Sequence, residues 1–289
     1  MKFSNIKIGN LTFKNPLILA SGTFGWGDKF IEVANKMAGI VTKGLTIEPR
    51  KGNPPPRIFE SASGILNSVG LENPGVEKFC KEILPRLKHL KTNLIVNIAG
   101  NSVQEYRILA ERLQHELIAG LEINLSCPNI ATKQMLGQNP KTTYKVVKAI
   151  RDVTKKFLIT KLTANFVNPL LTAQAAVDAG TDAICLINSL YGIAFDIETG
   201  KPVLGGISGG LSGPAIKPFA LYCVWYVGQR LKIPIIGCGG ISTSKDVLEY
   251  LLAGSVLVEI GSANLRNPYI GLEILKEIDI IGRNYNLKM

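Results

Sequence analysis

The stretch Ile123-Asn124-Leu125-Ser126-Cys127-Pro128-Asn129 gathers two amides, a hydroxyl and a thiol into one short span. The apolar run Leu121–Leu125 reads as a buried strand. Pro128 has no N–H to give to a ladder, so that strand ends near Cys127. A thiol at a strand end can take or give a proton, and amides orient a ligand without adding charge. A lone buried Cys usually behaves as a small hydrophobe, so the other strand ends decide how this one is read.

Those ends are polar in phase. In chain order they give Ala20-Ser21-Gly22, Thr42-Lys43-Gly44, Asn97-Ile98-Ala99-Gly100-Asn101, Asn124 with Cys127, Thr160-Lys161-Leu162-Thr163, Asn188-Ser189, Gly237-Cys238-Gly239-Gly240 and Gly261-Ser262. One such group would be noise; a full set points to a site at one end of the fold. Gly239-Gly240 and Gly261-Ser262 each follow a strand and precede a helix, where backbone N–H groups cradle a phosphate. Lys43 and Lys161 emerge from apolar strands, and a buried Lys needs a partner or a task. The only acids near strand ends are Glu122 and Glu259, so a bound anion or an electron-rich ring is the expected partner rather than a structural ion pair. A Schiff-base Lys161 would leave Cys127 and the amides without roles.

The elements that must hold these residues alternate regularly. Ile6–Phe13 reads as an opening hairpin turning at Gly9-Asn10. Strands are expected at 17–20, 39–43, 94–98, 121–125, 157–162, 183–188, 234–237 and 255–260. Helices follow near 28–37, 75–90, 102–118, 140–156, 169–179, 216–231, 244–253 and 268–280. Eight strand–helix units predict an α/β fold, a (β/α)8 TIM barrel with an N-terminal β-hairpin, residues 1–289 forming one domain. An open doubly wound sheet is the alternative. Long insertions leave the C-terminal face of the strands at Thr46–Pro74, Pro128–Asn139 and Tyr191–Pro214. They exceed the usual ~2–6-residue βα loops, and the 128–139 segment reads as a mobile lid.

Composition narrows the class. The 289 residues are 46% hydrophobic, enough for one sizeable core, and 33 Lys+Arg against 22 Asp+Glu give +11. That balance favours anionic ligands or an acidic partner, but no block of like charge suggests a nucleic-acid tail. No run reaches the ~18 apolar residues of a membrane span, and the first residues lack a signal-peptide core, so a cytoplasmic protein is expected. Cys80, Cys127, Cys185, Cys223 and Cys238 form no C-x-x-C pair, so no zinc or iron–sulfur site is suggested within this chain. Cys185 and Cys238 are expected in the core, Cys80 and Cys223 on helices. His89 and His115 are expected on solvated helices, away from any chemistry.

Taken together, Ala20-Ser21-Gly22-Thr23-Phe24-Gly25, Lys43-Gly44, Asn67-Ser68-Val69-Gly70-Leu71, Asn124 to Asn129, Ile187-Asn188-Ser189, Gly210 to Pro218 and Gly239-Gly240 carry a resemblance. From Asn15-Pro16 to about Pro268 the chain resembles the class 1 dihydroorotate dehydrogenases, FMN enzymes of pyrimidine biosynthesis. The resemblance implies that Cys127 removes a proton from C5 of dihydroorotate while C6 passes hydride to FMN. It implies that Lys43, Asn67, Asn124, Asn129, Asn188 and Ser189, with the backbone of Val69, Gly70 and Leu71, hold the substrate. Ala20, Ser21, Lys43, Gly44, Asn97, Asn124, Lys161, Ile187 and Gly213 would line the flavin, and Gly239, Gly240, Gly261 and Ser262 its phosphate. No metal is implied. Two positions depart from the family: Ser262 where Thr is usual, and Glu259 where Gln is usual. Glu259 is expected to face outward or to pair with a Lys or Arg.

The membrane-linked class uses Ser as base and carries an N-terminal extension, so Cys127 argues against it. The runs Ile8 to Pro16 and Asp196 to Pro202 resemble the NAD-linked type. That type is a homodimer that joins an electron-transfer subunit carrying FAD and a 2Fe–2S cluster, as a heterotetramer. The alternatives are a fumarate-linked enzyme acting alone, a non-catalytic flavin-binding relative and, more remotely, an FMN-dependent tRNA-dihydrouridine synthase. The last would need a further helical domain after the barrel.

Overall fold

The computed structural model describes residues 5–125 and 136–285, without the side chains of 282–285. Eight parallel strands close into a barrel: Leu17–Leu19, Gly39–Val41, Asn93–Ile98, Gly120–Asn124, Phe157–Leu162, Ala183–Leu186, Ile235–Cys238 and Leu257–Ile260. They pair in chain order, and the eighth returns to the first through Val258 opposite Leu17. The expected (β/α)8 barrel is therefore the observed fold. Helices start where the chain supplies caps: the side chains of Ser102, Asn139, Asn168 and Thr243 each accept a bond from a first-turn N–H.

Alternate residues of each strand face opposite ways. Outward residues such as Leu19, Ile40, Val96, Ile123, Leu158 and Ile184 pack in one large buried cluster with the helices. Inward residues Ile18, Val41, Ile95, Phe157, Ile159, Cys185 and Ile236 fill the barrel. The hairpin, Ile6–Ile8 paired with Leu11–Phe13, joins that inner cluster. Its Phe13 meets Phe157, the first residue of the fifth strand, edge-on at 5.9 Å. The hairpin thus closes the amino-terminal end and leaves the polar carboxyl ends as the open face.

Two of the long insertions do not stay loops. Ile58–Ser61 and Gly64–Asn67 from one, and Leu190–Gly192 and Gly209–Ser212 bounding the other, form a four-stranded antiparallel sheet. Gly210 pairs with Asn67 across it.

Several expected elements are shorter. The 28–37 helix is only Ile31–Ala34. The 75–90 helix is one α turn, Val76–Lys78, then a π turn Phe79–Ile83 and a 3-10 stretch Leu84–His89, because Pro85 cannot continue the i→i−4 ladder. The helix expected over 102–118 ends at Arg112, which leaves His115 exposed in a loop, not on a helix. The sixth strand stops at Leu186, so Asn188 and Ser189 lie beyond it. The expected lid at 128–139 lies mostly outside the described residues; Leu136–Gln138 is a 3-10 turn and Asn139 caps the next helix.

Candidate active site

The carboxyl ends surround a cavity of about 320 Å³. Ala20, Ser21, Lys43, Gly44, Asn67, Val69, Leu71, Asn97, Asn124, Lys161, Ile187, Asn188, Ser189, Gly239, Gly261 and Ser262 all line it. A second cavity, sharing Ile65 and Ser262 with the first, is lined by Gly213 and Gly240. Of the residues expected at the site, Gly70 touches neither cavity, and Cys127 and Asn129 lie outside the described residues. Gly70 acts through its backbone instead. At φ 76 it turns the chain so that Val69 and Leu71 reach the cavity, and a Cβ there would come within 2.5 Å of the Asn53 nitrogen.

The strand ends are stitched together. Ser21 Oγ donates to the Thr42 carbonyl at 2.8 Å, and the Asn97 N–H donates to Thr42 Oγ1 at 3.2 Å. Asn264 donates to Thr23 Oγ1 at 3.1 Å, tying the turn after the eighth strand to the turn after the first. Lys43, half-buried, stands 6.0 Å from the Trp26 ring centroid.

The asparagines form one directed chain. The Ser189 N–H, which can only donate, points at Asn188 Oδ1 at 2.8 Å. That turns the Asn188 amide so its NH2 donates to Asn124 Oδ1 at 3.2 Å. Asn124 donates to Asn97 Oδ1 at 3.4 Å, and Asn97 to Glu122 Oε1 at 2.6 Å. Tyr106 Oη donates to the Asn124 carbonyl at 2.8 Å and steadies the fourth strand end from its helix side.

Below the amides, Lys161 Nζ donates to Glu259 Oε2 at 2.6 Å and lies 3.8 Å from Glu122 Oε1. This corrects the expectation that Lys161 has no acid partner. Glu259 faces inward because it alternates with the outward Val258 and Ile260. Of the two outcomes expected for Glu259, pairing is the one found. Burial lowers the tendency of Lys161 to hold its proton, but the surrounding Cys238, Glu122 and Glu259 more than offset it and hold Lys161 well above its ordinary range. Burial likewise raises Glu259, yet the Lys161 charge, together with hydrogen bonding from Glu122, Lys161 and Cys185, outweighs it and keeps Glu259 below the usual carboxylate range. Cys185 and Cys238 are buried as expected, but they face the barrel interior and Cys238 reaches the cavity.

The second cavity has the makings of an anion cradle. Gly240 holds φ 70, and a Cβ on it would come within 2.7 Å of the Gly213 oxygen and of Lys217 Cβ. Among the described residues, a Cβ on Gly261 would meet only Ala20 Cβ, at 3.8 Å, and Gly261 lines the first cavity. Sequence reasoning missed Arg266, which lines the second cavity and pairs at 3.2 Å with Glu60. Its signal is a cation one turn after the Gly261-Ser262 turn. It also missed Ile58, Ile65 and Ser212 as walls, since they belong to the unforeseen sheet.

A family model described as dihydroorotate dehydrogenase matches residues 4–281. A relative from Geotalea uraniireducens, named dihydroorotate dehydrogenase B (NAD(+)), catalytic subunit, is 46% identical over 91% of this chain and 88% of its own length. One of the same name from Thermoanaerobacter pseudethanolicus is 45% identical over 94% and 91%. A crystal structure of an Eimeria tenella dihydroorotate dehydrogenase with ferulenol superposes with a TM-score of 0.77, covering 97% of this chain and 85% of that one. At 23% identity it supports the barrel alone.

Proposed function

This chain belongs to the dihydroorotate dehydrogenase family, and from that premise we propose that it is the catalytic subunit of an NAD-linked dihydroorotate dehydrogenase of pyrimidine biosynthesis. The carrying observation is the pair of joined cavities, one ringed by four asparagine amides and Lys43, the other walled by Gly213, Gly240 and Ser262. Residues 1–289 act as one barrel domain holding FMN, with no metal.

The residues present fit that cofactor. Gly240 leaves no room for a side chain at the turn where a phosphate would be received, and Ser262 with the Gly239-Gly240 and Gly261 backbone offers donors. Ala20, Ser21, Gly44, Asn97, Lys161 and Ile187 would line the ring. When bound, FMN supplies the acceptor for the C6 hydride of dihydroorotate. Lys43 neutralises the substrate carboxylate, and Asn67, Asn124, Asn129, Asn188 and Ser189 match the ring's alternating donors and acceptors. Because the Asn188–Asn124–Asn97 chain has one direction, these amides are oriented before substrate arrives, which lowers the ordering cost. Cys127 takes the C5 proton.

Electrons leave to NAD through a partner subunit bearing FAD and a 2Fe–2S cluster, the whole a cytoplasmic heterotetramer built on a homodimer of this chain. The names of the relatives, each a catalytic subunit, support a separate partner. No helix among the described residues is long and apolar enough to cross a membrane.

The purified chain should be yellow and should oxidise dihydroorotate with a dye acceptor; a colourless, inert protein would reject this reading. Dihydroorotate should bleach its flavin without reducing NAD, and fumarate should not serve as an efficient acceptor. Efficient NAD reduction by the single chain would remove the need for a partner. Gly240→Val should lower flavin content at least tenfold on the order of one lost anion contact. The reason is that its Cβ would have to displace the Gly213 carbonyl or Lys217 at a φ that valine avoids. Circular dichroism of the variant separates a lost cofactor from a lost fold.

A further inference from the structure

Under the floor of the first cavity, five strands bring titratable groups together. They are Glu122 from the fourth, Lys161 from the fifth, Cys185 from the sixth, Cys238 from the seventh and Glu259 from the eighth. Both glutamates are 0% exposed and Lys161 5%. Two carboxylates against one ammonium would leave a net negative charge in a dry interior, which is strongly unfavourable. The hydrogen bonds point the same way. Lys161 satisfies Glu259 Oε2 and Asn97 satisfies Glu122 Oε1, each at 2.6 Å. The two remaining oxygens, Glu122 Oε2 and Glu259 Oε1, are buried and have no hydrogen-bond partner among the described residues, with the Cys185 and Cys238 thiols lying close to the Glu259 carboxyl. The two carboxyls flank the same ammonium, Lys161 Nζ lying 2.6 Å from Glu259 Oε2 and 3.8 Å from Glu122 Oε1, so each feels the other's charge.

We propose that Glu122 and Glu259 share one buried proton, carried by Glu122 Oε2 and donated to Glu259 Oε1, which makes the Glu122–Lys161–Glu259 cluster neutral beneath the cavity. That proton pairs both orphaned oxygens and cancels the excess charge at once. Burial, and then the negative charge of Glu259, push Glu122 well above the usual carboxylate range, in keeping with it as the carrier. The thiols facing the cluster differ: burial pushes Cys185 well up, while the hydrogen bond with Cys185 draws Cys238 down. On the flavin reading, Glu122 and Glu259 are positioning residues. They fix Lys161 Nζ and set the charge the cavity floor presents to the ring. This consequence rests on the flavin reading; the proton does not.

The test uses the full chain as purified, with flavin content measured on the same samples, so a missing flavin and a missing proton are separate results. In the infrared, the parent at neutral pH should show a carboxylic-acid C=O stretch that shifts in D2O. Glu122→Gln and Glu259→Gln should each lack it. In the first the Gln amide donates to Glu259, and in the second Glu122 ionises to balance Lys161. The second readout is stability against pH. Unfolded Glu122 ionises near about pH 4.3, whereas folded Glu122 keeps its proton, so the folded state binds one proton more and loses stability as pH rises. The unfolding constant of the parent, divided by that of Glu122→Gln, should therefore rise about tenfold per pH unit above roughly pH 5. Cys238→Ser should keep both the band and the slope. The proposal is overturned by no band in the parent, by a band that survives in both Gln variants, or by a pH-independent ratio. It is equally overturned if Cys238→Ser abolishes the slope. Should Glu259→Gln not fold, Glu122→Gln decides alone, because it keeps the shape and supplies the missing donor.

Discussion

Cys127→Ala should leave a folded, yellow protein whose flavin dihydroorotate bleaches about 10²–10⁴-fold more slowly than in the parent, the usual contribution of a positioned base. The thiolate, not the thiol, takes the proton, and a free Cys ionises near about pH 8.5. The only histidines, His89 and His115, are both exposed and line neither cavity. The sequence neighbours Ser126 and Asn129 are uncharged. The parent rate should therefore climb with pH and level off once thiolate dominates. Cys127→Ser, whose hydroxyl is far less acidic, should be slow across the range yet bind orotate almost normally. Stopped-flow bleaching of the three proteins over about pH 6 to 10 brackets that ionisation. If Cys127→Ala bleaches as fast as the parent at every pH, the base is another residue.

Lys161→Met should destabilise the protein by about 3–5 kcal/mol, the cost of removing one partner from a buried ion pair. Glu259 loses its 2.6 Å counter-ion, and Glu122 the nearby ammonium at 3.8 Å. The sign with pH follows from linkage. In the parent, Lys161 holds Glu259 below its ordinary range, so that pair stabilises above the unfolded carboxylate value and loses its contribution as pH falls. In the variant both carboxyls must be protonated to stay buried. The deficit should then be smallest in acid and grow as pH rises. Urea unfolding of parent and variant at acid, neutral and alkaline pH measures it. A deficit independent of pH would mean that methionine merely packs badly there. Flavin content should fall as well, because Lys161 lines the cavity.

The alternation of apolar runs with helical stretches was enough to specify the barrel, because each βα unit declares itself over neighbouring residues. The site was legible for the same reason. Lys43, Asn97, Asn124, Asn188, Ser189 and the paired glycines sit where barrel strands end, and strand ends are marked locally by glycine and polar residues, whereas Asn67, on the second sheet, was given only by the family resemblance. Three matters were decided only by the tertiary structure. The sheet that walls the cavity pairs Gly210 with Asn67, and no local pattern in short, Gly-rich segments encodes a partner so far away in sequence. The 75–90 helix broke into three turn types around Pro85 because packing of Phe79, Leu84 and Leu87 into the outer core holds the segment in place while its ladder is interrupted. Glu122 and Glu259 are the clearest case. Strands of a parallel barrel are buried on both faces and read as unbroken apolar runs, so their composition does not say which way one acid points. Closure of the eighth strand on the first set the phase, and with it the inward turn that brought Glu259 to Lys161 and Glu122.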